Sequence, residues 1–275
     1  MSQDRITFIG GGNMAASLIG GLINNGHPAN CITATDPLTA RREELANRFG
    51  INCTEDNAAA CDDADVVVLA VKPQVMPDVA KGLEKALTQR MPLVLSIAAG
   101  IRGTDIVRWL GYDAALVRAM PNTPALVGSG ITGMFANNNT SESQKHAADA
   151  VMKAVGGTVW VDSEALIDSV TAVSGSGPAY FFLLMECLSA TGIELGLSEE
   201  AACELALHTA LGAARIALEG DDPPGVLRQK VTSPGGTTER ALNIFNEGNM
   251  PELVRAAVTG ARDRAQELAD ELGNN

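Results

Sequence analysis

The stretch Ile6-Thr7-Phe8-Ile9-Gly10-Gly11-Gly12-Asn13-Met14-Ala15 decides the fold of this chain. Four β-prone residues lead into a glycine turn, and a segment of helical character follows as far as Asn25. The order of strand, Gly-x-Gly-x-x-Ala turn and helix predicts the first βαβ unit of a dinucleotide-binding domain. The alternative is a tight turn in another kind of α/β protein. N–H groups at such a helix start bind a pyrophosphate. We therefore expect cofactor contacts at Ile9, Gly10, Gly11, Gly12, Asn13 and Met14.

Composition limits the classes of function. The chain has 275 residues, of which 46% are hydrophobic and 4% aromatic, so small aliphatic side chains fill one large domain or two ordinary ones. The formal net charge is −13, from 33 acidic and 20 basic residues. This balance argues against nucleic acid and against an anionic membrane as partners. It does not exclude a small anionic ligand, because local N–H groups can bind one.

The cysteines, the histidines and the N-terminus favour a cytoplasmic protein without a metal site. Five cysteines without a Cys-x-x-Cys pair suggest neither a disulfide framework nor a zinc ribbon. The start Met1-Ser2-Gln3-Asp4-Arg5 is too short and polar for a signal peptide, and the apolar runs are only as long as strands. None of the three histidines, His27, His146 and His208, stands beside a cysteine or carboxylate cluster.

Strands alternate with helices in the first 162 residues. Residues 65–71 and 93–100 are apolar runs typical of strands buried on both faces, and 114–120 follows as a further strand. The alternation predicts a Rossmann-type doubly wound parallel sheet, which 130–135 and 157–161 would extend.

The carboxyl ends of parallel strands meet at one edge of a sheet, and ligands bind there. We therefore expect Lys72, Ala98 and Asn122, which follow three different strands, to gather near the cofactor.

The region from 163 to 275 has no good strand pattern. It predicts helices at 180–195, 198–219, 224–231, 238–246 and 251–272. We therefore predict a dinucleotide-binding domain over 1–162 and an all-α domain over 163–275.

The choice of nicotinamide cofactor stays open. An acid about twenty positions after the glycine turn accepts the ribose 2′-hydroxyl and selects NAD, and Asp36 stands there. Arg41 and Arg42 follow, and guanidinium groups suit the 2′-phosphate of NADP. A helix-entry turn at Asp36 and a solvated helix face for the arginines are the alternatives.

Three other stretches, 120–124, 174–180 and 233–239, are rich in glycine, proline and small polar residues. The last two lie in the helical half, where free N–H groups at a helix start suit a carboxylate. Ordinary helix capping is the alternative. A site with little acid–base help suits hydride transfer to an imine, whose nitrogen is basic enough to arrive protonated. A carbonyl reductase would usually need a Lys, His or Tyr as proton donor.

Taken together, five motifs resemble the pyrroline-5-carboxylate reductases in order and spacing over nearly the whole chain. They are Phe8 to Ala15, Ala70-Val71-Lys72-Pro73, Asn122-Thr123-Pro124, Ser174 to Tyr180 and Ser233 to Thr238. The resemblance implies reduction of the cyclic imine 1-pyrroline-5-carboxylate to L-proline by NADPH or NADH, the last step of proline biosynthesis. It also implies a homodimer through the helical domain, which often assembles further into a decamer.

The resemblance also implies site residues. It places further cofactor contacts at Thr35, Asn57, Ala70, Val71, Lys72, Pro73, Ile97, Ala98 and Ala99, and the strand-end positions of Asp36 and Asn122 add these two residues. It places substrate contacts at Glu164, Ser233, Gly235, Gly236, Thr237 and Thr238, with Thr238 hydrogen-bonded to the ring nitrogen as the catalytic residue. An acid in the first turn of a helix is the alternative for Glu164. Asp36 is a departure, because the family more often has a small hydroxyl residue there.

Two rival functions differ from this interpretation. A β-hydroxyacid dehydrogenase would have a catalytic lysine where this chain has Phe181. A nucleotide-sensing module without catalysis would not require the two glycine turns of the helical half.

Overall fold

The structure is a computed structural model that describes residues 4–273. Eight strands form one sheet in the order β3-β2-β1-β4-β5-β6-β7-β8. They are β1 (Ile6–Ile9), β2 (Ile32–Thr35), β3 (Asn52–Thr54), β4 (Val66–Leu69), β5 (Leu93–Ser96), β6 (Leu116–Met120), β7 (Gly130–Ala136) and β8 (Gly156–Trp160). The order turns back between β1 and β4, which confirms the Rossmann-type doubly wound sheet. Residues 1–3, on which the comparison with a signal peptide partly rests, lie outside the described residues.

The last two strands run against the other six. Strands β1 to β6 are parallel, whereas β7 pairs antiparallel with β6 and parallel with β8. A parallel crossover needs a dozen or more residues, and the link between Met120 and Gly130 holds only the 3-10 turn Thr123–Val127. The two added strands do extend the sheet. The expectation that they extend it as parallel strands is wrong, because β7 runs antiparallel to β6.

Helices cover both faces of the sheet. Those of the first part of the chain are α1 (Asn13–Asn24), α2 (Thr39–Phe49), α3 (Met76–Arg90), α4 (Gly103–Leu110), α5 (Glu142–Lys153) and α6 (Leu166–Val170). Phe8 and Val68 lie in the core beneath α1, α2 and α5. Their neighbours Ile9 and Val67 lie in the core beneath α3 and α4. Successive strand residues face opposite sides, so a strand with helices on both sides must be apolar throughout.

The C-terminal region is helical as predicted. Its helices are α7 (Gly177–Glu194), α8 (Glu199–Glu219), α9 (Pro224–Lys230), α10 (Thr237–Glu247) and α11 (Met250–Gly273). The chain divides into two compact units: one runs to Ser176 and resumes at Ala261, and the other is Gly177–Gly260. The boundary after residue 162 marks where the strands end and stays a prediction. The compact first unit also takes in α6 and the last turns of α11.

The stretch 174–180 differs from the small-residue turn that its composition suggested. Thr171–Gly175 is a π-helical segment between α6 and α7. The N–H of Ser176 donates to the carbonyl of Thr171, five residues back, at 2.8 Å. Helical backbone therefore continues through the motif instead of starting at it. Short π-helical segments are frequently found at functional sites.

Helix α8 has the length and the average composition of a membrane span, although its unbroken apolar runs are short. It is 21 residues long, and among the described helices it alone is long and apolar enough to span by length and composition. Only 11% of its most apolar window is buried within the chain. Short runs rich in alanine and leucine, separated by one or two polar residues, produce this character, so a search for unbroken apolar runs misses it. A helix covered by a second copy of the chain would pass the same test.

Close packing between α1 and the end of α5 depends on a glycine. A Cβ added to Gly21 would overlap the backbone carbonyl of Ala154, which cannot move as a side chain can. We predict that Gly21→Ala lowers the free energy of unfolding by about 1–3 kcal/mol. Overpacking then outweighs the roughly 1 kcal/mol that alanine adds to a helix.

The matched control is Gly82→Ala in α3, where an added Cβ meets no heavy atom within 4 Å. In this variant the free energy of unfolding should rise by about 0.5–1 kcal/mol, because alanine has the higher helix propensity. Urea unfolding at one fixed protein concentration measures both, because association contributes to apparent stability. A gain of equal size at both positions would contradict the packing argument.

Candidate active site

The glycine turn after β1 has the geometry that a bound dinucleotide needs. Gly10 has φ +100, and a Cβ there would lie 2.8 Å from the carbonyl oxygen of Ala70. Gly12 precedes α1 as its N-cap without a side-chain cap, and a Cβ there would meet nothing within 4 Å. The first N–H groups of α1 have no carbonyl within the helix to bond to, so they are available to an anion in the open space beside Gly12. These residues fit a pyrophosphate.

Parallel pairing brings the other predicted cofactor residues to the same edge. Ile9 pairs with Thr35 in β2 and with Leu69 in β4, and Leu69 pairs with Ser96 in β5. The stretches that follow these strands therefore share the edge: Gly10 to Met14, Asp36, Ala70 to Pro73, and Ile97 to Ala99. Asn57 follows β3 and Asn122 follows β6, whose carboxyl ends point the same way. Contact of each with a cofactor stays a prediction.

Asp36 and the two arginines after it are bonded to the backbone around the glycine turn. The Asp36 carboxylate accepts the N–H of Gly11 at 3.2 Å and that of Leu38 at 2.9 Å. Arg41 donates through Nε to the Gly11 carbonyl at 2.5 Å. Arg42 donates to the carbonyl of Asp36 at 2.8 Å. All three side chains thus support the turn.

Asn122 connects three segments near the end of β6. Its side-chain amide donates to the carbonyl of Ser174 at 3.1 Å, and its oxygen accepts the N–H of Ile131 at 3.0 Å. Gly175 lies so close to Met120 that a Cβ would stand 2.8 Å from the methionine methyl. The π-helical segment is therefore held against the ligand edge of the sheet.

Glu164 lies in a bonded cluster that the sequence did not predict. Its Oε1 accepts from the Arg118 guanidinium at 2.7 Å and from the N–H of Gly103, the first residue of α4, at 2.5 Å. The Arg118 side chain is 6% exposed. Burial raises the pKa of nearby Asp168, and the positive charges of Arg118 and Arg102 oppose that rise. The sequence does contain a signal for this cluster, because the charged Arg118 inside the apolar strand β6 needs a buried partner.

The start of α10 forms a second glycine turn. Gly235 has φ +71, a left-handed conformation that favours glycine. Its N–H donates to the carboxylate of Glu239 at 2.8 Å, and the N–H of Gly236 donates to the Ser233 carbonyl at 3.0 Å. These bonds use the two glycine N–H groups inside the turn. The N–H groups of Thr237 and Thr238 begin the helix, and both residues are exposed.

The role of Glu239 was missed because 233–239 was interpreted only through its glycines. Four residues after Gly235, the Glu239 side chain returns to bond the N–H of that glycine, as an acid in the first turn of a helix often does.

Among residues 4–273 no group of three or more His, Cys, Asp or Glu side chains could hold a metal ion.

Comparison with known proteins gives matches in both units. Residues 5–100 match the family described as NADP oxidoreductase coenzyme F420-dependent, and 164–268 match that described as pyrroline-5-carboxylate reductase dimerisation. A pyrroline-5-carboxylate reductase of Pseudomonas aeruginosa is 51% identical over 99% of this chain and 100% of its own length. One of Vibrio alginolyticus is 45% identical over 98% of each.

Solved structures agree with the sequence relatives. A pyrroline-5-carboxylate reductase from Coxiella burnetii superposes with a TM-score of 0.95 at 46% identity, covering 98% of this chain and 99% of the other. A Plasmodium falciparum pyrroline carboxylate reductase with NADP bound has a TM-score of 0.85 at 27% identity, with the same coverage.

Removal of Glu164 tests what its contacts contribute. We predict that Glu164→Ala lowers the free energy of unfolding by about 2–3 kcal/mol, because it leaves a buried guanidinium without its partner. Glu164→Gln should lower the free energy of unfolding by less, since an amide oxygen still accepts from Gly103 and Arg118. Urea unfolding measures both changes.

The control is Asp63→Ala, which breaks the surface pair of Asp63 with Arg5, where both side chains are 58% exposed. Such pairs contribute little, so unfolding should hardly change. Unchanged stability in Glu164→Ala, with a raised KM for substrate as the only effect, would show that Glu164 acts in substrate binding and not as a structural partner of Arg118.

Proposed function

The chain belongs to the pyrroline-5-carboxylate reductase family, and we infer that it reduces 1-pyrroline-5-carboxylate to L-proline with NADPH or NADH, the last step of proline biosynthesis. The match over both units carries this conclusion. The glycine turn alone would not, because many dehydrogenases share it. The substrate is a cyclic imine with one carboxylate, so the protein needs a dinucleotide site, an anion site and a hydrogen bond to nitrogen.

We propose that the edge of the sheet holds the cofactor. The open space beside Gly12 and the first N–H groups of α1 would take the pyrophosphate. Strand-end segments at Asp36, 70–73 and 97–99 would take the ribose and nicotinamide portions. When bound, the reduced nicotinamide supplies a hydride.

We propose that the α10 turn holds the substrate. The N–H groups of Thr237 and Thr238 would bind its carboxylate at the positive end of the helix dipole. The N–H groups of Gly235 and Gly236 are already bonded within the turn, so they would position the backbone and not bind the anion directly.

Thr238 would orient the imine. The ring nitrogen is basic enough to arrive protonated, and the Thr238 hydroxyl would accept a hydrogen bond from that N–H. Addition of hydride to the imine carbon then makes the new C–H bond, and nitrogen keeps its proton as it becomes an amine. No proton donor is required from the protein, so orientation contributes most of the catalysis.

Turnover by the purified full chain tests both the reaction and the role of Thr238. We expect oxidation of NADPH or NADH that depends on 1-pyrroline-5-carboxylate. Thr238→Ala should lower kcat roughly tenfold to a hundredfold, the range for one hydrogen bond to a charged group. Thr238→Ser should keep most of the activity because it keeps the hydroxyl. Cofactor Kd should not change.

The control is Thr232→Ala, whose hydroxyl donates only to the carbonyl of Arg228 one turn earlier, at 2.6 Å. It should turn over like the unmodified chain. Absence of turnover with either cofactor would overturn the function. Full activity in Thr238→Ala would overturn only the role of this residue.

We propose a cytoplasmic homodimer formed through the helical domain, without nucleic acid or membrane partners, that assembles into a decamer. The acidic net charge of −13 supports the exclusions. The match of 164–268 to a dimerisation family supports the association. Exposed large apolar side chains are concentrated in Gly177–Gly260, for example Phe181, Phe182, Leu205, Leu207, Leu211 and Ile216. So many exposed large apolar side chains in one unit favour an interface with a second copy.

A charge placed on this surface tests the interface. We expect light scattering to give a mass of twice 28.5 kDa or a multiple of that for the unmodified chain. Leu211→Glu should shift the mass toward the monomer, because burial of an unpaired carboxylate is costly. The control is Leu126→Glu in the first unit, where the side chain is 59% exposed, and it should stay at least dimeric. Dissociation by Leu126→Glu alone would place the interface elsewhere.

A further inference from the structure

The Asp36 carboxylate is fixed beside the glycine turn, where a dinucleotide ribose would lie. One oxygen accepts the N–H of Gly11 at 3.2 Å and the other accepts the N–H of Leu38 at 2.9 Å. Each carboxylate oxygen can accept more than one hydrogen bond, so both retain acceptor capacity. An ionised carboxylate donates none. Asp36 therefore presents a fixed acceptor and a negative charge at the end of β2.

The two arginines after Asp36 are already bonded to other groups. Arg42 donates to the carbonyls of Asp36 at 2.8 Å and Pro37 at 3.1 Å, and it forms an ion pair with Glu55 at 3.3 Å. Only 17% of its side chain is exposed. Its guanidinium thus fixes the backbone that carries the Asp36 carboxylate.

Arg41 lies on the other side of the turn. Its Nε donates to the Gly11 carbonyl at 2.5 Å, and its Nη1 pairs with Glu44 at 2.6 Å. Its side chain is 20% exposed. The peptide groups of Gly11 are therefore held by an acceptor on Asp36 and a donor on Arg41.

The charges of this cluster do not favour a further anion. Asp36, Glu44 and Glu55 carry three negative charges, and Arg41 and Arg42 carry two positive ones. A ribose 2′-phosphate brings close to two more negative charges, as other phosphate monoesters do at neutral pH. The charges of both arginines are already paired with Glu44 and Glu55, so a 2′-phosphate would have to compete with those carboxylates. A 2′-hydroxyl needs only an acceptor, which Asp36 supplies.

We propose that Asp36 is the specificity-determining residue for the cofactor and that this chain selects NADH over NADPH. Arg41 and Arg42 act as positioning residues for the turn and do not bind a 2′-phosphate. The proposal rests on the cofactor site proposed above. It concerns the connection between β2 and α2 of this chain and not the family as a whole, since one relative was solved with NADP bound.

Binding to the purified full chain, without imine substrate, tests the proposal apart from turnover. Nucleotide fluorescence gives Kd for NADH and for NADPH at one ionic strength. We expect NADH to bind at least about tenfold more tightly, a difference of about 1.4 kcal/mol. The ratio of kcat/KM for the two cofactors should follow. Equal binding, or tighter binding of NADPH, overturns the proposal.

Two substitutions of Asp36 identify the group responsible. Asp36→Ser removes the charge, and Asp36→Asn removes it while keeping an oxygen for the Gly11 N–H. Each should shift the Kd ratio toward NADPH by about tenfold or more. The matched control, Glu43→Ser, removes one negative charge from an exposed position on α2, the helix that follows Asp36, and should leave the ratio unchanged. An unchanged ratio in both Asp36 variants overturns the proposal.

The Arg41→Ala variant separates support of the turn from phosphate binding. If Arg41 holds the Gly11 carbonyl, its loss weakens the binding of NADH and of NADPH by the same factor. Selective loss of NADPH binding would show that Arg41 binds a 2′-phosphate and would overturn the proposal. Failure of the proposed function would look different, because both cofactors would bind but 1-pyrroline-5-carboxylate would not be reduced with either.

Discussion

The approach of Gly10 to the carbonyl of Ala70 is a contact that only a residue without a Cβ allows. It brings the turn after β1 against the segment that follows β4, so two strand ends form one surface. Helix α1 can then start immediately beyond the turn with its first N–H groups facing open space. The contacts of Asp36 and Arg41 with Gly11 depend on this placement. One close backbone contact thus positions the proposed phosphate and ribose sites.

Much of the sheet could be predicted because its determinants are local. The apolar runs at 65–71 and 93–100 contain β4 and β5, and the Gly-x-Gly-x-x-Ala turn contains the start of α1. The direction of β7 depends instead on the length of the link from β6, which a pattern of apolar residues does not describe. The π-helical form of Thr171–Gly175 could not be predicted either. A π-helical turn holds one more residue than an α-helical turn, and amino-acid composition does not distinguish the two.

The candidate site likewise has residues that the sequence predicts and residues that it does not. Residues of the glycine turns and strand ends belong to contiguous motifs, so the sequence could propose them. The contacts of Glu164 join residues 61 and 46 positions away in sequence, and no spacing rule connects them. Glu239 shows an intermediate case, because its bond to Gly235 spans four residues and follows an ordinary capping pattern. Interpretation of the loop through its glycines alone concealed it.

Helix α11 belongs to both compact units, and its end completes the first one. Leu272 packs into the core beneath α3 and α4, and the carbonyl of Gly273 accepts from Arg108 at 2.7 Å. During translation, domains generally fold as units, and the N-terminal domain folds first. Here the first unit lacks part of its core until residues 261–273 have left the ribosome. A nascent chain that stalls near residue 260 therefore carries an unfinished domain for chaperones to protect.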